Sequence, residues 1–226
     1  MSSTKKTTRT LAAAVAAAAV LAGASACASE GKKGGGDIAG VQSTAPTATP
    51  SATTATPTPT QDPGAPAISL PADYTVDIQF KPGDDPVKKA AADGLAYALR
   101  AFNAAEATGD INHPAMVYAF TGAAAGYMNQ AVTQLNSHNQ TISGANRYYA
   151  LTVDTKDPKT VVAAYCEDQS KAYAKDKATG KVMTTTPGPN DYTDWTTGLT
   201  LSDKGVWQVS STQAEKGSTR CQSAAG

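Results

Sequence analysis

From residue 86 the apolar positions of the chain follow a helical period. Val87, Ala91, Leu95, Ala98, Phe102 and Ala105 recur at three- and four-residue spacing. Asp85 stands where an N-cap accepts from the first free amides, Pro86 takes the first helical position, and Gly109 ends the run, so the pattern predicts a helix over 86–108. Much of its apolar stripe is alanine, which lets another element approach closely. A second helical region begins at Asn112 or His113 with Pro114 near its start. Met116, Phe120, Ala124, Tyr127 or Met128, Val132 and Leu135 mark its buried side, and Thr121-Gly122 divides a short helix from a longer one. The stretch "NSHNQTISG" closes it.

Ahead of the helices, "DYTVDIQF" (73–80) alternates as a short strand or extended lead-in, and "KPGDDP" turns the chain. After Ala145 the period changes. "NRYYALTVDT", "TVVAAYCED", "KVMTTT", "DYTDWTTGLTLS" and "VWQVSSTQAE" are rich in Tyr, Val, Thr and Trp, and turn material ("KDPK", "KATGK", "TPGPN", "SDKG") separates them. These read as antiparallel strands. Helices first and a meander afterwards predict an α+β fold in which one face of a curved sheet packs against the helices.

Neither period extends to the first part of the chain. Residues 28–66 hold almost no large apolar side chains, and "STAPTATPSATTATPTPTQDPGAP" carries eight Thr and six Pro in 24 residues. Such a segment cannot bury a core and reads as a disordered spacer, spanning roughly 35 Å as a flexible coil. Its Thr/Pro bias also suits O-glycans. A single domain of ordinary size is expected over 67–226.

The first 26 residues have the three parts of a secretory signal: basic Lys5, Lys6 and Arg9, an apolar run from Leu11 to Leu21, and small residues before Cys27. The apolar run falls well short of the roughly 20 residues a membrane-spanning helix needs. Ala24-Ser25-Ala26 suits the general signal peptidase, but the same residues before a cysteine resemble a bacterial lipobox, with Ala24 where Leu is usual. Cys27 is therefore expected to carry a lipid that holds the protein at the extracytoplasmic face of the cell membrane, with simple secretion as the alternative.

Loss of that signal removes three of the 19 basic residues and none of the 19 acidic ones, leaving a net charge of −3. No basic run with interleaved aromatics supplies a nucleic-acid-binding face. With Cys27 assigned to lipid, two cysteines remain, Cys166 and Cys221, in a chain sent to an oxidising compartment, and they are expected to pair. No CxxC motif and no nearby His point to a redox or metal site. Catalytic signatures such as HExxH, GxSxG and the P-loop are absent, and no cofactor is expected.

The order of elements, with "VVAAYCEDQSKAY", the "DKATGK" turn, "LTLSDKGVWQV" and a final Gly217 with Cys221, resembles the NTF2-like fold of secreted lipoproteins from high-GC Gram-positive bacteria. That resemblance covers about Asp73 to Cys221. It implies a cone of helices against a bent antiparallel sheet, with a cavity between them. Two alternation sets compete for the inner face: Tyr148, Ala150 and Thr152 with Ala163 and Tyr165, or Tyr149, Leu151 and Val153 with Val162, Ala164 and Cys166. The second is expected inside because it is more apolar on the first strand.

Ketosteroid-isomerase-like members of this fold use an acidic base in an apolar pocket with Tyr or protonated Asp donors. The resemblance casts Asp168, Asp194 and Tyr165 in those roles, but strand Asp residues of this kind usually face solvent, and a non-catalytic domain is expected. His113 and His138 read as parts of helix ends. Trp207 reads as core. Tyr148, Tyr149, Tyr165, Tyr173 and Trp195 add up to an aromatic surface for a small apolar ligand or an envelope protein.

Overall fold

The computed structural model describes residues 64–226. The signal segment, Cys27 and nearly all of the Thr/Pro-rich spacer lie outside the described residues. No described helix is long and apolar enough to cross a membrane.

Asp85 caps α1 (Pro86–Thr108), its side chain accepting from Val87 N at 2.9 Å and Lys88 N at 3.0 Å. Gly109, in the left-handed conformation at φ 74°, stops the helix by donating to Ala105 O. The helix α2 (Pro114–Ala119) starts at His113, whose Nδ1 accepts from Ala115 N, and α3 (Gly122–Ser137) ends at His138. Both histidines thus serve helix ends.

One strand precedes the helices, β1 (Tyr74–Ile78). Five follow: β2 (Gln140–Asp157), β3 (Thr160–Asp176), β4 (Val182–Met183), β5 (Tyr192–Leu201) and β6 (Trp207–Lys216). The sheet runs in the order β1-β2-β3-β5-β6, with β4 on the distal part of β3. All pairings are antiparallel except β1 with β2, which is parallel. A last helix, α4 (Thr219–Ala224), follows Gly217. The result is the α+β, NTF2-like architecture: α1 to α3 on the inner face of a curved sheet.

Four details depart from the sequence reading. Residues 140–144, assigned to a helix-ending loop, open β2 instead. The "KVMTTT" stretch yields only the two-residue β4, and the C-terminal helix α4 was not anticipated. The fourth concerns which side chains face the helices.

On β3 the inward set is Val161, Ala163, Tyr165 and Glu167, while Cys166 faces the other way. This is the alternation the apolar count disfavoured. On β2 both sets are partly right, because the pairing slips between Tyr149 and Thr152. Ala150 sits at φ 51°, a left-handed bulge conformation uncommon for a residue with a Cβ. The extra residue reverses the alternation, so Tyr148 before it and Leu151 and Val153 after it pack against one core.

That core joins Leu95, Leu99 and Phe102 of α1 and Met128 and Val132 of α3 to Leu199, Trp207 and Val209 of the sheet. Alanines at 98, 101, 104 and 105 are fully buried. At Gly94 the helix α1 comes close to β6: a Cβ there would lie 2.7 Å from Trp207 Cβ.

Candidate functional site

Leu95, Leu99, Asn103 and Glu106 follow one another along one side of α1 at helical spacing, so the apolar stripe ends in two polar groups aimed at the sheet. Asn103 is fully buried. Its Oδ1 accepts from the Tyr74 hydroxyl of β1 and from Asn146 Nδ2 at 3.0 Å, and its Nδ2 donates to Leu99 O at 2.7 Å and to the Tyr148 hydroxyl at 2.8 Å.

The network converges on Glu167, which is 1% exposed. Glu167 Oε1 accepts from Tyr148 at 2.7 Å and from Asn146 Nδ2 at 3.0 Å, and Oε2 accepts from Trp195 Nε1 at 2.8 Å. Elements α1, β1, β2, β3 and β5 thus meet in one hydrogen-bonded network around this carboxyl group. Burial raises its pKa, while the donors Tyr148, Trp195 and Gln169 oppose the rise by favouring the anion. Glu106 is half-buried on α1, and its pKa is pushed up to about 8 by burial first and by the nearby Glu167 charge second. Tyr74 and Tyr148 are raised well above the usual phenol value, mainly by burial.

An aromatic row leads from this network to the surface. Tyr148 meets Tyr165 edge-on with ring centres 6.1 Å apart, Tyr165 stacks on Trp195 at 6.4 Å, and Tyr127 of α3 meets Trp195 edge-on at 6.1 Å. Phe80 flanks Tyr165 at 5.8 Å. Tyr127 is 44% exposed, so the row ends in solvent.

The structure brings Tyr148, Tyr165 and Trp195 together and separates the other two aromatic candidates from them. Tyr149 lies on the opposite face, under α4, with its hydroxyl on Cys221 O at 2.7 Å and the Arg147 guanidinium 4.5 Å from its ring centre. Tyr173 is half-buried on the distal part of β3, opposite Ser143. Cys166 and Cys221 form a disulfide that joins α4 to β3 on this outer face. Asp168 and Asp194 lie there too: Asp168 pairs with Arg147 at 3.1 Å and Asp194 with Arg220 at 2.6 Å. They are engaged in ion pairs away from Tyr165, and the interior acid is Glu167.

Glu167 and Asn103 escaped the sequence reading for identifiable reasons. Glu167 shares the parity of Ala163 and Tyr165, so the choice of alternation that sent those residues outward sent it outward as well. Asn103 had a signal of its own, a polar side chain four residues after Leu99 on an otherwise apolar stripe. Among the described residues, no group of three His, Cys, Asp or Glu is placed to hold a metal ion.

No family model matches the chain, and no curated protein matches it. Among solved structures it is similar to the intermembrane space region of chloroplast protein ARC6, at TM-score 0.40 and 11% identity over 57% of this chain and 95% of that one. It is also similar to a ketosteroid isomerase-like protein from Erwinia carotovora atroseptica SCRI1043, at TM-score 0.36 and 16% identity over 57% of this chain and 94% of that one. A structure from Catenulispora acidiphila in complex with S-DNPA gives TM-score 0.35 and 11% identity over 61% and 96%. These likenesses concern the fold alone.

Proposed function

We propose that this protein is a lipid-anchored component of the cell envelope whose NTF2-like domain binds a small, mostly apolar molecule on the extracytoplasmic side of the membrane. The observation that carries the reading is the aromatic row from exposed Tyr127 through Trp195 and Tyr165 to the buried Tyr148 and Glu167. Apolar walls ending in a few convergent polar groups are what a small ligand site requires. The state of the acid supports a non-catalytic role: Glu167 already accepts from Tyr148, Asn146 and Trp195 of its own chain, which leaves it poorly placed to take a proton from a substrate.

The anchor rests on Cys27 and the small residues before it. A diacylglyceryl group gives durable attachment where one acyl chain holds only marginally. Native mass spectrometry of the protein extracted from its own envelope in mild detergent tests both parts. The reading expects a lipid mass on Cys27 and a removable noncovalent adduct. A chain cut before Cys27 and bearing no lipid overturns the anchor. A lipidated chain without an adduct shifts the reading to a protein partner. Replacement of Cys27 by Ser is expected to release the protein from the membrane fraction.

A second reading, an isomerase-like enzyme, is favoured by one contact, the buried Glu167 carboxyl against the Tyr148 hydroxyl at 2.7 Å. Turnover of a carbonyl substrate that disappears in Glu167→Gln while the fold is kept would establish it.

A further inference from the structure

Residues 171–183 form an arm at one end of the sheet. The pairing of β2 with β3 slips between Ala145 and Arg147, and β5 follows β3 only as far as Asp168. Beyond that point the one strand on this side of β3, among the described residues, is β4. The arm is charged unlike the rest. Over 67–226 the sequence has 14 basic and 16 acidic residues, and the arm holds four of the basic ones, Lys171, Lys175, Lys177 and Lys181, against Asp176. A domain of net charge −2 thus carries a segment of +3.

Few of these cations are matched within the fold. Lys175 pairs with Asp73 at 2.7 Å, and Asp176 is occupied by Thr179, whose amide and hydroxyl both donate to it at 2.8 Å. Lys171, Lys177 and Lys181 take part in none of the ion pairs formed among the described residues, and Lys177 donates to the neutral Asn136 Oδ1. Beside them stand two apolar side chains outside the core. Val182 is 39% and Met183 36% exposed, and every residue of 181–187 is exposed. The register sets Val182 with Lys175 and Lys171 on one face of the arm and Met183 with Lys181 on the other. Its free edge therefore presents apolar and cationic groups side by side.

Cations flanking exposed apolar side chains suit a bilayer surface, where apolar groups enter the boundary with the acyl chains and cations face anionic headgroups. We propose that this arm docks on the anionic lipid surface of the membrane to which the chain is tethered, with Val182 and Met183 at the headgroup boundary and Lys171, Lys177 and Lys181 against lipid phosphates. The inference rests on the anchor in the reading above and adds the orientation of the domain. Residues 28–63 separate Cys27 from the first described residue and, as a coil, span roughly 35 Å, so the arm can reach the bilayer. The chain also joins the sheet beside the arm, since Tyr74 pairs with Gly144 and Gly144 with Ala172. Tethering makes docking an intramolecular step, for which weak contacts suffice. The rest of the domain, with 10 basic and 15 acidic residues, is repelled by the same surface, which turns the arm toward it.

The test uses the full mature chain with Cys27→Ser, so that no attached lipid contributes. It is co-sedimented with vesicles of equal parts phosphatidylglycerol and phosphatidylcholine, and with vesicles of phosphatidylcholine alone. Binding to the first at low ionic strength, its release by high salt and no binding to the second are expected. Each lysine near an anionic bilayer is worth about fivefold in affinity, so Lys171→Gln with Lys181→Gln should weaken binding about 25-fold. Lys81→Gln with Lys204→Gln, an equal charge change away from the arm, should leave it nearly unchanged, and Met183→Ser should weaken it severalfold. All five residues are exposed, and unchanged thermal melts check that the fold is kept. Absence of binding, or equal binding to phosphatidylcholine, overturns the docking surface. Equal loss in the two lysine pairs overturns it too, because the charge effect is then general. Full competition by dextran sulfate, with Met183→Ser binding like the wild type, assigns the arm to a polyanionic chain and overturns the bilayer. The anchor is judged separately by the native mass of Cys27: a lipidated chain whose Cys27→Ser form ignores the vesicles keeps the anchor and loses the arm, and a natively unlipidated chain that binds them does the reverse.

Discussion

Tyr148 and Glu167 are direct cross-strand partners of β2 and β3, and the tyrosine donates its hydroxyl to the glutamate at 2.7 Å in the interior of the domain. The pair ties two strands through the same groups that reach Asn103 on α1 and Trp195 on β5. Tyr148→Phe keeps the ring and removes the donor, leaving a buried carboxyl oxygen with one partner fewer. A loss of about 1–3 kcal/mol is expected in urea denaturation. The double variant Tyr148→Phe with Glu167→Gln should cost clearly less than the sum of the two single changes, because an interacting pair is counted twice in that sum. Strict additivity would mean that the two groups do not communicate.

Glu106 gives the domain a pH dependence of unusual sign for a carboxyl group. Its folded-state pKa, about 8, lies above the ordinary 4.5, so between those values the folded protein holds a proton that the unfolded chain has released. Stability is therefore unaffected by this group below pH 4.5, falls as the pH rises through the window, and levels off above 8. Glu167, raised as well, acts in the same direction, and Tyr74 is the other ionisable side chain that senses Glu106. Asp73, Asp154, Asp168 and Asp176, all lowered by their hydrogen-bond and ionic partners, act oppositely and withdraw support only as the pH falls below about 4. Thermal melts from pH 5 to 9 should show a declining midpoint in the wild type and a shallower decline in Glu106→Gln, with the two curves meeting at the acidic end. Parallel curves would remove Glu106 from this account.

Gly94 poses a contest between helix propensity and packing. It lies in the interior of α1, where alanine would ordinarily stabilise by about 1 kcal/mol. A methyl group at this position would fall 2.7 Å from Trp207 Cβ and 3.1 Å from the Trp207 carbonyl oxygen. Both obstacles are held in β6, and overpacking of this kind costs about 1–3 kcal/mol. Gly94→Ala is expected to lower the urea midpoint. An increase would mean that α1 can ride outward on the sheet at little cost.

The helices were legible in the sequence because their signals are local. Asp85-Pro86, Pro114, Thr121-Gly122 and Gly109 each mark a boundary by chemistry that acts within one turn, and the structure uses all of them. Sheet facing was not legible, because a period of two has no local marker of which side is inward. On β2 the left-handed Ala150 exchanges the two sides midway, and nothing in "YYALTV" distinguishes an alanine that will bulge. The candidate site inherited that ambiguity. Tyr148, Tyr165 and Trp195 were identified as aromatic and therefore useful, whereas Glu167 depended on a parity that apolar counting misassigned. The six-residue α4 lies below the length at which periodicity speaks, and it is held by long-range bonds to residues far away in sequence.

Those long-range bonds set the consequence of breaking the disulfide. Cys166–Cys221 closes 55 residues and, on the chain-entropy model, stabilises the fold by about 4 kcal/mol. It also fixes α4 where Tyr149 donates to Cys221 O and Arg147 donates to Ala225 O at 3.1 Å, while Arg220 grips Asp194 through two 2.6 Å bonds. Replacing both cysteines by alanine should therefore lower the denaturation free energy by about 2–4 kcal/mol. It should also raise hydrogen exchange in residues 218–226 and around Tyr149 first, since the helix retains only its polar grips. The inner face, where Glu167 and Trp195 meet on the other side of the sheet, should keep its exchange protection. If the inner network loosens together with α4, the two faces form one cooperative unit, and the C-terminal helix supports the site as well as the outer surface.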